Sequence, residues 1–377
     1  MSGRAAEVVV VGGGIIGCAV AWELARRGVD VVLVERDVPG RGATWAAGGM
    51  LSPVVEADEP GAFLRLAVTS FELWPEFVEA LREATNMPIE YRSAGKLCVA
   101  LDHAGAESLE ASYRWRRAAG YAVQWLDGAA ARALEPGLSP DVRAAMLVEQ
   151  DHWVDNRQAG RALWVAAARA GVKVRTGAAA IELLRSSSGD VVGVVLDDGS
   201  RVEGDAVVLA AGCWSGTVRG LPRPLPVFPV RGQMAAVRAV PPAVGRTIQV
   251  GHTYLIPRGD GRVTIGSTAE RVGYRAHTTP AGIAALLSTA MRVVPSLADA
   301  PIVQTWAGLR PGTPDGRPIL GPDPEVDGLF YATGHFRNGI LLAPITARLV
   351  ADALTGACPE IPLEPFAPDR FVAEPAR

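Results

Sequence analysis

The stretch from Glu7 to Asp37, EVVVVGGGIIGCAVAWELARRGVDVVLVERD, constrains the fold more than any other part of the chain. Val8 to Val11 form an unbroken apolar run, which suits a strand buried on both faces of a parallel sheet. Gly12, Gly14 and Gly17 follow in G-x-G-x-x-G order, where missing Cβ atoms allow a tight turn, close backbone approach to a pyrophosphate, and helix-on-strand packing. Ile16, Val20, Leu24 and Arg27 then recur at helical spacing, and Gly28 sits where a C-terminal glycine cap belongs. Val31 to Val34 make a second strand that ends in Glu35, roughly 20 residues past the glycines, where a carboxylate accepts hydrogen bonds from a ribose hydroxyl. An ordinary βαβ turn could carry the glycines, but it has no need of the whole series in register. The acid argues against a 2′-phosphate, which Glu35 would repel unless Arg36 intervened.

With 377 residues the chain can hold two domains or one large α/β unit with an inserted layer. Apolar residues at 49% and charged residues at 20% describe a globular chain, and a formal net charge of −3 argues against nucleic-acid binding. Cys18, Cys98, Cys213 and Cys358 lack metal-ligand or disulfide-framework spacing, which fits a reducing cytoplasm. Glu7, Glu23 and the three glycines argue against a secretory signal at the start, and no apolar run is long enough to predict a membrane span.

After Glu35 the small-residue segment GRGATWAAGGMLSP, Gly40 to Pro53, reads as a loop able to lie flat against a planar ligand and donate N–H groups to it. Helices are predicted over 60–84, with Phe63, Leu66, Phe71, Leu73, Phe77 and Leu81 apolar, and over 104–119, with a strand at Lys96 to Leu101 between them. The βαβ pattern returns in Arg157 to Gly177 and in the strand DAVVLAAGCWS, with an Asp-Asp-Gly hairpin between them. From Leu221 to Trp306 the pattern becomes alternating strands plus a helix at 281–294, which predicts antiparallel sheet. The final segment, DGLFYATGHFRNGILLAPITARLVADALTG, gives a strand, a glycine turn and a helix starting near Asn338, and is expected to pack beside the first unit. The predicted class is α/β: a Rossmann-like nucleotide domain from 1–85, 150–220 and 307–377, with an inserted α+β domain from 86–149 and 221–306.

The segments VVVVGGGIIGCAVAWELARRG, GATWAAGGMLSP, TWAGLRPGTPDGRPILG and TGHFRNGILLAP resemble the FAD-dependent D-amino-acid oxidase family, closest to the glycine oxidases of thiamine biosynthesis. The resemblance spans essentially the whole chain, and the last two segments are the most specific. It implies a glutathione-reductase-type FAD domain and resident FAD rather than a visiting dinucleotide. It places FAD against Gly12, Gly14, Ile15, Ile16 and Gly17, against Glu35 and Arg36 at the ribose, and against Ala43, Thr44, Gly48, Gly49 and Met50. It adds Ala178 and Gly212, with His335, Phe336, Arg337, Asn338, Gly339, Ile340 and Leu341 covering the ring end. A helix N-terminus there would favour the negative charge of a reduced flavin.

The same resemblance makes Arg310, in what reads as an apolar, glycine-rich turn, the group that grips the substrate carboxylate, with Arg337 as a second arginine for the carboxylate or the flavin. His252 and Tyr254 fall two apart on an expected strand, hence on one face, and are expected to line the pocket. Ala269 stands where such relatives often carry methionine, which implies a roomier pocket open to glycine, sarcosine and small D-amino acids. The expected chemistry is oxidative deamination to an imine and then a 2-oxo acid, with dioxygen reduced to hydrogen peroxide and no side chain acting as obligatory base. Absence of cysteine from the Arg310 segment points to non-covalent FAD. The other readings are a D-amino-acid dehydrogenase using another acceptor and a flavoprotein module without turnover; the chain itself leaves homo-oligomerisation open.

Overall fold

The computed structural model describes residues 6–57 and 59–371. Two large sheets organise it. The first has six strands in the order Ile319–Pro322, Leu329–Thr333, Ala206–Leu209, Val8–Val11, Val31–Glu35, Lys173–Thr176. All neighbours run parallel except the edge pair Ile319–Pro322 with Leu329–Thr333. Val8–Val11 is buried throughout, as its apolar run requires at the centre of a parallel sheet.

Helices Ile15–Arg26, Asn156–Arg169 and Ala343–Thr355 cover one face, sharing a core with the long helix Ala62–Thr85. An antiparallel meander, Ala180–Arg185, Val191–Leu196 and Arg201–Glu203, covers the other face. The helix of the closing segment packs near the first unit, because Ile345 and Leu349 share a core with Val20 and Leu24. Its strand does not lie beside Val8–Val11, because Ala206–Leu209 intervenes.

The second sheet has eight strands in the order Ile302–Gly312, Phe228–Arg238, Arg262–Gly266, Thr253–Pro257, Thr247–Val250, Lys96–Ala100, Ala144–Val148, Gln124–Asp127. Every pairing is antiparallel except Thr247–Val250 with Lys96–Ala100. The pair at its first edge, Ile302–Gly312 with Phe228–Arg238, registers Val230 opposite Arg310 and Met234 opposite Trp306. Helix Pro280–Val293 packs into the core of this sheet through Leu286, Ala290 and Val293. Strand Ile302–Gly312 runs across the boundary drawn at 306/307, so by strand pairing its whole length belongs with the second sheet.

Two local expectations are corrected. The segment Gly40 to Pro53 is not all loop: it carries a four-residue helix, Ala43–Ala46, and the short strand Met50–Leu51, which pairs with His152–Val154. The last helix begins at Ala343 rather than near Asn338, preceded by a turn in which Leu342 N–H donates to the Asn338 carbonyl at 2.8 Å. Pro344 in its first turn suits that start, where a missing N–H leaves no bond unmade.

Candidate functional site

A cavity of about 440 Å³ runs between the two sheets, from the carboxyl end of Val8–Val11 to the strand that carries Arg310. Its first end is made of backbone. Gly12 adopts φ 109°, and a Cβ there would lie 2.4 Å from the Ala210 carbonyl oxygen. A Cβ on Gly17 would lie 1.8 Å from the Gly12 carbonyl oxygen, so this residue lets the helix seat on the turn rather than facing the cavity. Gly14, Ile15 and Ile16 line the cavity, and Thr44 Oγ1 accepts from Ile15 N–H at 2.9 Å. Asn156 Nδ2 in turn donates to the Thr44 carbonyl at 2.7 Å, which fixes the short helix Ala43–Ala46 beside the glycine turn.

Glu35 closes the strand as expected and lines the cavity, but backbone uses both its oxygens: Oε2 accepts from Gly13 N–H at 2.6 Å and Oε1 from Asp37 N–H at 2.9 Å. Arg36 lays its guanidinium over the Trp214 ring, 3.4 Å from the centroid, and Trp214 stacks on Tyr274. Trp214 and Gly212 both line this end. Ala178 lies buried behind it, its N–H directed at the Glu35 carbonyl at 3.4 Å, and the cavity wall is formed instead by Ala179, Ala180 and Ile181.

Ala43, Gly48, Gly49 and Met50 line the middle of the cavity. Arg258 fastens this segment by donating to the Gly48 and Val154 carbonyls, and burial lowers its pKa to about 10, still a cation at neutral pH. His335, Phe336, Arg337, Asn338, Gly339 and Ile340 line the cavity, whereas Leu341 faces the core, its carbonyl accepting from Ser70 and Trp74. Phe336 is held at φ 48°, its N–H donating to the Pro311 carbonyl at 2.8 Å, which ties this turn to the Arg310 strand. His335 is 2% exposed, bonded to Thr346 Oγ1 at 3.0 Å, and burial drives its pKa down to about 3, so the imidazole stays neutral.

The far end is made of side chains. Arg310 sits within a strand rather than in a turn, its guanidinium across Gly232 of the neighbouring strand. A Cβ on Gly232 would fall 2.3 Å from Arg310 Nη2. Nη1 donates to the Thr268 carbonyl at 3.0 Å and Nη2 to Ser267 Oγ at 2.5 Å, and no carboxylate among the described residues lies within ion-pair distance. Burial lowers its pKa, with Tyr254 opposing the shift and Arg337 adding to it. The segment supplying these acceptors is anchored by Glu270, which pairs with Arg231 and accepts from Gln233 Nε2 at 2.8 Å. Burial works against ionisation of Glu270, yet the donors Arg231, Thr268 and Gln233 hold its carboxyl at about 2.

Tyr254 lies on strand Thr253–Pro257 and reaches Met234 Sδ at 3.3 Å. His252 is not on that strand. It stands exposed in the hairpin turn before it, at the cavity rim, because the chain reverses between Thr247–Val250 and Thr253–Pro257. Ala269 also lies at the exposed rim.

Sequence reasoning passed over Gly232, Ser267, Thr268 and Glu56, all lining this end. Gly232 sits in ordinary alternating strand sequence and pairs with Gly308, so only the path of the Arg310 side chain across it reveals its role. Glu56 is offered by the short helix Pro53–Glu56, whose carbonyl-rich surroundings are held by Arg116 donating to Val54, Val55 and Ala57. Its Oε2 is 3.3 Å from Arg337 Nη2.

A tight glycine turn, an acid after the second strand and a cation at the opposite end of one cavity form the layout expected of a dinucleotide-dependent oxidoreductase. The chain belongs to the DAO family of FAD dependent oxidoreductases, which it matches over residues 7–353. It is 36% identical to glycine oxidase of Geobacillus kaustophilus over 98% of both chains, and the crystal structure of that protein superposes with a TM-score of 0.93, covering 98% of this chain and 99% of the other. Glycine oxidase of Pseudomonas aeruginosa is 38% identical over 96% of this chain and 98% of its own. The bifunctional protein ThiO/ThiG of Synechocystis is 39% identical over 97% of this chain but only 54% of its own length, so the chain spans about half of that relative.

Proposed function

We propose that the chain is an FAD-dependent amino-acid oxidase that deaminates glycine and other small amines, sarcosine and small D-amino acids among them, reducing dioxygen to hydrogen peroxide in the thiazole branch of thiamine biosynthesis. The relatives named glycine oxidase and ThiO support the substrate class. The observation that carries the reading is Arg310: a desolvated guanidinium without a carboxylate partner among the described residues, opening into the same cavity as the glycine turn.

The residues present fit FAD at the other end. The open backbone at Gly14, the N–H of Ile16 at the helix start and the Glu35 carboxylate suit a pyrophosphate and ribose, with Thr44 Oγ1 already taking the Ile15 N–H, and Gly48 to Met50 with His335 to Ile340 suit the ring. When bound, FAD supplies the two-electron acceptor and passes the electrons to dioxygen. Binding is proposed to be non-covalent: Cys18, Cys98 and Cys358 lie off the cavity, and Cys213, which lines its nucleotide end near Trp214, is a thiol that burial pushes up to about 12 and so keeps un-ionised.

The chain's own part is orientation. Arg310 holds the substrate carboxylate bidentately, each charge-assisted hydrogen bond contributing about 1.5–3 kcal/mol, and so fixes where the α-carbon lies. Tyr254 forms the wall there, its ring backed by the buried Met234 and its hydroxyl beside Arg310. Correct placement supplies most of the rate, because once the amine is neutral no side chain need remove a further proton. His335 stays neutral and adds no charge to the ring end. Oxygen uptake and peroxide release measured on glycine, sarcosine and D-alanine test the reading: peroxide with at least one is expected, and none with all three removes it. Dye reduction without oxygen uptake would assign a dehydrogenase instead.

A further inference from the structure

The proposed carboxylate site contains a second arginine, and the fold has already given that one a partner. Arg310 senses two charged neighbours besides Tyr254, namely Arg337 and Glu56. Arg337 Nη2 stands 3.3 Å from Glu56 Oε2; the arginine side chain is 44% exposed and the glutamate only 13%. Among the described residues Glu56 Oε2 is buried without a hydrogen bond, and the ionic contact to Arg337 is the compensation it has there. Burying a carboxylate oxygen without a hydrogen bond is costly unless a cation beside it compensates. The glutamate has little freedom to leave: Arg116 is buried and grips the carbonyls of Val54, Val55 and Ala57 on either side of it.

The geometry points to Glu56 as the residue that sets the charge class of the substrate: by neutralising Arg337 it leaves Arg310 as the uncompensated guanidinium, so the site accepts amino acids with a single carboxylate and disfavours dianions. Two guanidiniums and one carboxylate leave a net charge of one, which one substrate carboxylate cancels. With Glu56 neutral, Arg337 becomes a second anion partner, and dicarboxylate ligands gain a contact that glycine cannot use. The inference rests on the assignment of Arg310 to the substrate carboxylate.

The test titrates purified FAD-loaded protein with acetate, malonate and succinate at fixed ionic strength, reading dissociation constants from the visible spectrum of the bound flavin. In the wild type, acetate is expected to perturb the spectrum and the dicarboxylates to gain nothing over it. Glu56→Gln is expected to shift the dicarboxylate-to-acetate preference by at least tenfold toward the dicarboxylates, and Glu56→Asp, which keeps the charge, is expected to restore much of the wild-type preference. An unchanged preference in Glu56→Gln overturns the inference alone. Failure of acetate to bind wild-type protein overturns the Arg310 assignment and the inference with it. If Glu56→Gln does not retain flavin, Arg337→Met decides: with Glu56 left unneutralised, acetate is expected to bind at least fivefold more weakly, and unaltered acetate binding overturns the inference.

Discussion

The two ends of the cavity are built by different means. At the nucleotide end the decisive features are absences, the missing Cβ atoms of Gly12 and Gly17, and the groups offered to a ligand are largely backbone. At the carboxylate end they are side chains on separate strands and loops: Arg310 from Ile302–Gly312, Tyr254 from Thr253–Pro257, Glu56 from Pro53–Glu56 and Arg337 from the turn before the last helix. A backbone cradle tolerates no added atom, whereas a side-chain site can be retuned one residue at a time. This difference separates what a mutation at either end should do.

The largest effect is expected at the cradle. Gly17→Ala places a methyl 1.8 Å from the Gly12 carbonyl oxygen. Neither backbone can yield, so destabilisation of roughly 3 kcal/mol or more is expected, with flavin lost on purification. Flavin content and thermal unfolding check this, and a yellow, stable variant would contradict it. Arg310→Ala should act at the other end only: kcat/KM for glycine falls by at least about a hundredfold, roughly 2.7 kcal/mol, while flavin stays bound. Unchanged kinetics would refute the assignment.

Gly232→Ala sharpens the comparison, because its Cβ would meet the guanidinium itself, 2.3 Å from Nη2. The free end of Arg310 can move, so a loss of about tenfold in kcat/KM with normal flavin content is expected, smaller than that of Arg310→Ala. At neutral pH the smallest effect concerns His335, whose contribution shows only in acid. Its pKa falls from 6.5 to about 3 through burial, so the folded state refuses a proton that the unfolded chain takes. The stabilisation is complete above pH 6.5 and is lost progressively as pH falls toward 3. His335→Gln is expected to flatten the acid side of the stability curve by up to about 1.4 kcal/mol per pH unit, as denaturant melts at several pH values would show.

The same contrast explains what the sequence made legible. The glycine spacing, the apolar run of Val8–Val11 and the acid at Glu35 are local signals, and each element they imply is present where expected. Alternation announced the second sheet for the same reason. Arg310 was visible only through its resemblance to a family motif, because its setting is a cross-strand register that no local pattern encodes. Glu56 and Gly232 leave no sequence signal: the first lies on a four-residue helix without periodicity, and the second matters only because the Arg310 guanidinium, two residues along the neighbouring strand, lies back across it. His252 was misplaced because an alternating strand pattern continues across the hairpin turn into which it falls. The final helix was started too early because GHFRNGILL has the composition of a helix entry, while its backbone is used to tie the turn to Pro311.

Anaerobic mixing of the purified flavoprotein with glycine tests most directly whether one cavity holds both the dinucleotide and the amino acid. The account expects the visible flavin band to bleach within turnover time in the wild type, and to persist in Arg310→Ala at the same flavin content. A wild-type band that remains unbleached by glycine, sarcosine and D-alanine, or an Arg310→Ala protein that bleaches as fast as wild type, would contradict it.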